Sequence, residues 1–362
     1  MTVTAPARKR RRLTFHDLRV ADVERLCDDA VAVTFDVPSE LAAEYDFSPG
    51  QYLTLCRTVD GRKERRSYSI CAAAGTRPRV GVREVPDGLF SQWLVHDVRV
   101  GDVIEVGTPL GSFTADPATG GRHVLIAAGS GITPVLSVAS SLLAQSDAQV
   151  TLLYGNRRTN TVMFAEEVGD LKDAYGPRVD LVHVLSREPR EVELFSGRLD
   201  RDRVAALLDA FIPVEAVDGF WLCGPHEMVL GVRDVLAERG VGKERIHQEL
   251  FFAGDTPPAP VEHLEPLPDE PMSEVTLQLD GRSSTLSLPR TQPVLDSAQR
   301  QRSDLPFACK GGVCGTCRAQ VTDGAVDMRR NYALEDSEVD AGFVLTCQSY
   351  PISDEITLDY DA

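Results

Sequence analysis

The segment Phe307–Ala319 reads FACKGGVCGTCRA and carries three cysteines and three glycines in thirteen residues. Cys309, Cys314 and Cys317 follow a C-x4-C-x2-C spacing, and Cys347 stands thirty positions beyond Cys317. Thiols this close together either cross-link or bind metal. No apolar stretch of signal-peptide length follows the N-terminus, so the chain reads as cytoplasmic, where thiols stay reduced and metal binding wins. A structural zinc site usually shows two separated short ligand pairs. One dense group with a single remote partner is instead the spacing of a [2Fe-2S] cluster, with three ligands from a loop and the fourth from a distant strand end. Gly311, Gly312 and Gly315 suit such a loop, because glycine tolerates positive φ and lets backbone N–H groups turn toward sulfur.

The flanks of that loop agree. EVTLQLDGRSSTLSL predicts a β-hairpin turned at Asp280–Gly281, and TQPVLDSAQRQ predicts a helix. Residues 272–362 resemble the plant-type ferredoxin domain, a small β-grasp fold. The resemblance implies that Cys309, Cys314, Cys317 and Cys347 are the cluster ligands. Upstream, GDTPPAPVEHLEPLPDEP (254–271) is too rich in proline and acid to bury a core. It predicts a stiff, extended linker that spans at most roughly 56 Å at about 3.1 Å per residue.

Two textures precede the linker. Over 13–118, short runs such as AVAVTFDV, QYLTLCRTV and RSYSICAA, separated by Gly/Pro turns, predict an antiparallel β-barrel. Over 119–253, the apolar runs HVLIAA, QVTLLYG, VDLVHVLS and GFWLCG are strand candidates. Helical stretches such as PVLSVASSLLAQ and HEMVLGVRDVLAERG lie between them. That alternation predicts an α/β, Rossmann-like parallel sheet with right-handed crossovers.

Within the barrel segment, Arg66, Tyr68 and Ser69 form R-x-Y-S, which resembles the flavin signature of the ferredoxin–NADP reductase superfamily. The chemistry suits FAD: a guanidinium clamps pyrophosphate, a tyrosine lies on the isoalloxazine, and a hydroxyl reaches N5. PDGLFSQWL resembles the second flavin segment, where Gly88 to Ser91 open a helix whose free N–H groups meet phosphate. HVLIAAGSGITPVLSV then resembles the NAD(P)-binding strand, turn and helix, with Gly129, Gly131, Thr133 and Pro134 on the matching positions. LCGPHEM resembles the C-G motif, which implies Cys223 and Gly224 beside the nicotinamide. IHQELFF resembles the closing segment, which implies Glu249 and Phe251 near the flavin.

VLSREP resembles the S-R segment of NADPH-using members and implies Ser186 and Arg187 as 2′-phosphate ligands, with Arg198 and Arg157 or Arg158 as helpers. No acidic residue stands out in these segments to meet the ribose hydroxyls of NADH. FMN and NADH remain the alternatives to FAD and NADPH.

The totals exclude other classes. A net charge of −17 argues against nucleic-acid binding, which needs a basic face. The run Arg8 to Arg12 reads as a solvated tail over 1–12. No run of about 18 apolar residues suggests a membrane span. The seven histidines lack metal-site spacing, and neither a G-x-S-x-G elbow nor a P-loop occurs. Cys27, Cys56 and Cys71 read as small core residues.

The order of modules implies an NAD(P)H-dependent electron-transfer reductase feeding a separate oxygenase. Met328, Asn331, Ala333, Leu334, Glu338, Gly342 and Cys347–Gln348 resemble the subgroup that serves the di-iron phenylacetyl-CoA epoxidases. Reductases of Rieske dioxygenases, alkane hydroxylases or phenol hydroxylases share the same cofactor motifs and stay open. A zinc-bound module on an inert flavin-like scaffold is the non-enzymatic alternative.

Overall fold

The computed structural model describes residues 13–59, 62–86, 88–251, 271–302, 304–307, 310–334 and 336–362. Expectations for the basic tail and for nearly all of the linker, as well as for Cys309, lie outside these residues.

The first module is a six-stranded antiparallel sheet built from β1 (Phe15–Cys27), β2 (Ala30–Asp36), β3 (Tyr52–Val59), β4 (Arg62–Ser69), β5 (Arg79–Arg83) and, after helix α1 (Leu89–His96), β6 (Val103–Gly107). The strand order is β4-β3-β6-β1-β2-β5. A bridge between Ile70 and Val80 joins the two outer strands and closes the barrel. Leu18, Val33, Phe35, Leu53, Leu55 and Phe90 fill its interior, each contributing about 1.5–3 kcal/mol of burial.

The second module alternates β7 (Arg122–Ala128), α2 (Ile132–Gln145), β8 (Gln149–Asn156), α3 (Ala165–Tyr175), β9 (Val179–Leu185), α4 (Arg201–Phe211), β10 (Gly219–Pro225), α5 (His226–Glu238) and β11 (Ile246–Phe251). All five strands are parallel, in the order β11-β10-β7-β8-β9. β7 is apolar on both faces, as a central parallel strand must be when helices cover both sides. The order reverses between β7 and β10, and in open α/β sheets the ligand crevice lies at such a point, beyond the carboxyl ends of the strands. Helix α2 is buried along most of its length because it lies between this sheet and the barrel. Two of its serines bond the barrel backbone: Ser137 Oγ donates to the Ala72 carbonyl at 2.6 Å, and Ser141 Oγ accepts from the Ala74 N–H at 2.9 Å.

The third module holds β12 (Met272–Leu279), β13 (Arg282–Pro289), α6 (Val294–Ala298), β14 (Arg318–Asp323), β15 (Val326–Met328), α7 (Asp336–Asp340), β16 (Phe343–Leu345), β17 (Ser349–Pro351) and β18 (Glu355–Asp359). Its main sheet runs β13-β12-β18-β14-β16, with β12 and β18 parallel. The β12–β13 hairpin turns at Asp280 and Gly281, both at positive φ (58° and 67°), as the D-G pair predicts. The predicted helix at 291–301 is corrected to five residues. Pro293 caps its start, and tighter turns carry the chain from Gln299 to Arg302.

Candidate active site

Strand register assembles the crevice. Cys223 on β10 pairs with Glu249 on β11 and with Ala127 on β7, so its thiol and the Glu249 carboxylate point to one face of the sheet. From the barrel, Ser69 at the end of β4 reaches across, and its hydroxyl donates to Glu249 Oε2 at 3.1 Å. Ser69, Cys223 and Glu249, the three residues expected to act catalytically at the flavin and the nicotinamide, therefore meet, although 180 positions separate Ser69 from Glu249.

Burial sets their chemistry. Desolvation pushes the Glu249 carboxyl up to about 7, partly offset by the Ser69 hydrogen bond. Glu249 as a whole residue is only half-buried, so water screens part of that shift. Desolvation, followed by the Glu249 charge, lifts the Cys223 thiol well above its usual value, so it stays neutral. A neutral thiol shapes a pocket and is no nucleophile.

The Gly-x-Gly turn approaches the same crevice. Gly129 adopts φ 56°, and its carbonyl accepts the Tyr154 hydroxyl at 3.1 Å. A Cβ on Gly131 would stand 2.2 Å from the Cys223 carbonyl oxygen, so only glycine lets the turn close against β10. Gly224 is less confined, since a Cβ there falls 2.7 Å from Met228 Cε, the movable end of a flexible side chain. Thr133 Oγ1 donates to the Ser130 carbonyl at 3.0 Å, and Pro134 follows in the first turn of α2, where its missing N–H costs nothing. Phe251, half-buried at the end of β11, packs on the core shared by barrel and sheet.

The residues expected to hold the flavin lie on the barrel side. Tyr68 is held above its usual pKa by burial. The Arg66 guanidinium lies 5.6 Å from the Phe90 ring, which places it at helix α1, and it pairs with Glu64 at 3.2 Å. Gly88 caps α1. The Ser91 hydroxyl accepts from the Val85 N–H at 3.0 Å and donates to the Gly88 carbonyl at 3.3 Å, fixing the helix entry.

At the far end of the sheet, the 2′-phosphate candidates converge through their backbones. The Arg187 N–H bonds the Arg157 carbonyl at 2.8 Å, the Ser186 N–H bonds Asn156 at 2.9 Å, and the Gly197 N–H bonds Leu185 at 2.9 Å, bringing Arg198 alongside. Arg157, Arg187 and Arg198 are exposed. Sequence reasoning missed two neighbours. Glu188 is an acidic residue in this segment after all, but its carboxylate accepts from Thr159 N at 2.9 Å and Oγ1 at 2.7 Å. Those bonds hold it below the ordinary carboxylate range, with the charges of Arg190 and Arg158 adding to the effect. Asn156 is 8% exposed, and neither polar atom of its side chain finds a well-formed partner among the described residues. An orphaned amide at a strand's carboxyl end fits a dinucleotide's hydroxyls and phosphates.

The thiolate loop is built from backbone conformation. Gly312 (φ 79°) and Gly315 (φ 67°) take the left-handed region; the expectation for Gly311 is corrected, because Lys310 (φ 52°) does so in its place. Lys310 tolerates this because its ammonium is tied to Asp296 at 3.0 Å and Gln299 at 2.7 Å. Cys317 and Cys347 are buried thiols facing one another, brought together by the Cys317 carbonyl, which accepts from Thr346 N–H at 3.1 Å and Oγ1 at 2.9 Å. Gln348 Nε2 sits 3.7 Å from Cys347 Sγ as a donor. Cys314 lies half-buried on the same loop. The three described thiols, one of them with a hydrogen-bond donor at its sulfur, fit an iron–sulfur cluster.

Three family models match in the same order: an oxidoreductase FAD-binding domain over 17–115, an oxidoreductase NAD-binding domain over 125–234, and a 2Fe-2S iron-sulfur cluster binding domain over 277–351. A component of the 1,2-phenylacetyl-CoA epoxidase of Escherichia coli K12 is 39% identical across 96% of this chain and 98% of its own. The chain belongs to this family of flavin and iron–sulfur reductase components. The ferredoxin reductase component of 3-ketosteroid-9-alpha-monooxygenase from Rhodococcus rhodochrous is 34% identical, covering 95% of this reductase and 96% of its own length. The crystal structure of phthalate dioxygenase reductase superposes with a TM-score of 0.61 at 25% identity, covering 95% of this reductase and 98% of that chain. The reductase is thus an oxidoreductase with FAD-binding, NAD-binding and [2Fe-2S] modules. Among its described residues, no helix is long and apolar enough to cross a membrane.

Proposed function

We propose that this reductase takes electron pairs from NADPH and delivers them singly to a separate oxygenase, of the di-iron, phenylacetyl-CoA-epoxidising type. The modules take the borders 13–118, 119–253 and 272–362. The observation that carries the reading is the Ser69–Glu249 bond beside Cys223, formed between two modules at the switch point of the parallel sheet. When bound, FAD accepts hydride and releases electrons one at a time, and a [2Fe-2S] cluster held by Cys309, Cys314, Cys317 and Cys347 carries them.

The protein's part is binding, orientation and one proton. Gly129, Gly131, Thr133 and Pro134 form the pyrophosphate cradle, and Ser186 with Arg157, Arg187 and Arg198 receives the 2′-phosphate. Arg66, Tyr68 and the α1 entry at Gly88 and Ser91 hold the flavin, and Phe251 closes it. Ser69, whose hydroxyl points at Glu249, positions the proton that a near-neutral carboxyl can hold or return. Cys223 and Gly224 leave a water-poor slot for the nicotinamide.

Anaerobic titration with NADPH and, separately, NADH, read by visible absorbance and low-temperature EPR, tests the reading. Flavin bleaching with a reduced [2Fe-2S] signal at much lower NADPH than NADH is expected. Equal response to both would remove the 2′-phosphate assignment, and a silent third module would remove the cluster. The second reading, a reductase for another oxygenase, draws on the 34% relative named for a ketosteroid monooxygenase. Turnover against a di-iron and a Rieske acceptor separates the two.

A further inference from the structure

The third module is seated on the other two by its cysteine loop. Val313, between Cys309 and Cys314, is 7% exposed and belongs to the hydrophobic cluster of the parallel-sheet module that includes Met228 and Leu250. Tyr332 packs against that cluster and meets the ring of His226, just after the C-G motif, edge-on at 4.6 Å. On the barrel side, Arg65 Nη1 donates to the Asp304 carbonyl at 2.8 Å while its guanidinium lies over Phe15. Asp304 is presented rigidly, because Arg302 grips its carboxylate at 2.8 and 2.9 Å. Between these points lies Tyr52, whose phenol is within electrostatic reach of Cys314, Cys317 and Glu249 and faces Thr316. Tyr52 is also the cross-strand partner of Ser69.

We propose that Arg65, Tyr52 and His226 form a three-point dock for the cysteine loop, which seats it one residue from the Ser69–Glu249 pair and must open before an external acceptor reaches the same loop. The inference rests on the electron-transfer reading above. The dock is built to open. Arg65 Nε and His226 Nε2 are buried there without partners among the described residues, so undocking returns each to water. Among the described residues its contacts are the Arg65 hydrogen bond to the Asp304 carbonyl, the attraction between Arg65 and the Asp304 carboxylate, the Arg66 guanidinium over the Phe307 ring at 5.7 Å, and apolar and aromatic packing, so salt weakens only part of it. A partner that captures the loop is therefore helped by the hydration that each orphaned atom regains when the loop leaves.

The test compares the holoprotein with Arg65→Glu, Val313→Asp and Tyr332→Ala. Small-angle scattering of the full chain should show a larger maximum dimension in the variants. Stopped-flow with NADPH should show flavin reduction within about twofold of the parent and cluster reduction slowed about tenfold or more, with Arg65→Lys restoring most of it. Unchanged dimensions with unchanged cluster reduction in all three would overturn the dock. Loss of flavin reduction in the parent protein would instead overturn the reading beneath it.

Discussion

The Ser69–Glu249 crevice and the cysteine loop meet at Tyr52 yet are made by opposite means. In the crevice, Cys223 and Glu249 are neighbours because parallel strands pair in register, and Ser69 arrives on the end of a barrel strand. In the loop, no regular element holds Cys314 or Cys317 before β14; Lys310, Gly312 and Gly315 bend the backbone, and Thr346 and Gln348 tie it. A site built on sheets is in place before its cofactor, whereas a loop of thiols leans on the metal it binds.

The largest expected effect tests that dependence. Cys347→Ser should abolish the reduced [2Fe-2S] EPR signal and drop acceptor reduction to background, while the flavin spectrum and its reduction by NADPH persist. Loss of the flavin as well would show that loop and crevice are one cooperative unit.

Gly131→Ala attacks the crevice alone. Its new methyl meets the Cys223 carbonyl at 2.2 Å, and backbone cannot step aside cheaply. We expect a loss of about 3 kcal/mol in chemical denaturation and a raised KM for NADPH, with the cluster spectrum intact.

Glu249→Gln sharpens the electrostatics. A carboxyl whose folded pKa is raised binds its proton more tightly in the native state, so stability is highest below its ordinary value near 4.5 and falls as pH rises toward 7. The apo protein should lose up to about 3 kcal/mol across that window, less what water screening of the half-buried Glu249 removes. The glutamine variant should lose this slope, as pH-dependent denaturation would show.

Arg187→Ala should raise KM for NADPH about tenfold and leave NADH nearly unchanged, since one charge-assisted contact to phosphate is lost. The smallest effect concerns the acceptor. The third module carries 14 acidic against 8 basic residues, so turnover with the oxygenase should slow as salt rises, more steeply than internal cluster reduction does.

Much of this was legible from local chemistry. The Asp280–Gly281 pair names its turn, the C-x4-C-x2-C spacing names its metal, and the apolar runs of β7 and β10 read as buried parallel strands. What escaped depends on distant partners. Tyr52 reads as an ordinary strand residue until the third module is laid over it. Glu188 does not stand out beside Arg187 in the sequence, and its place shows only once Thr159 takes its carboxylate. Lys310 displaces Gly311 in the left-handed region because Asp296 and Gln299 anchor its far end, and no spacing rule reports that.

The pairing of Cys223 with Glu249 also constrains how this chain can vary. Side chains alternate faces along a strand, so inserting or deleting one residue within β11 would carry Glu249 through the sheet, away from Ser69. The α5 crossover before it can lengthen or shorten freely, provided the strand re-enters in step. The sheet thus serves as a ruler: sequence change is cheap between its strands and is counted in whole residue pairs along them.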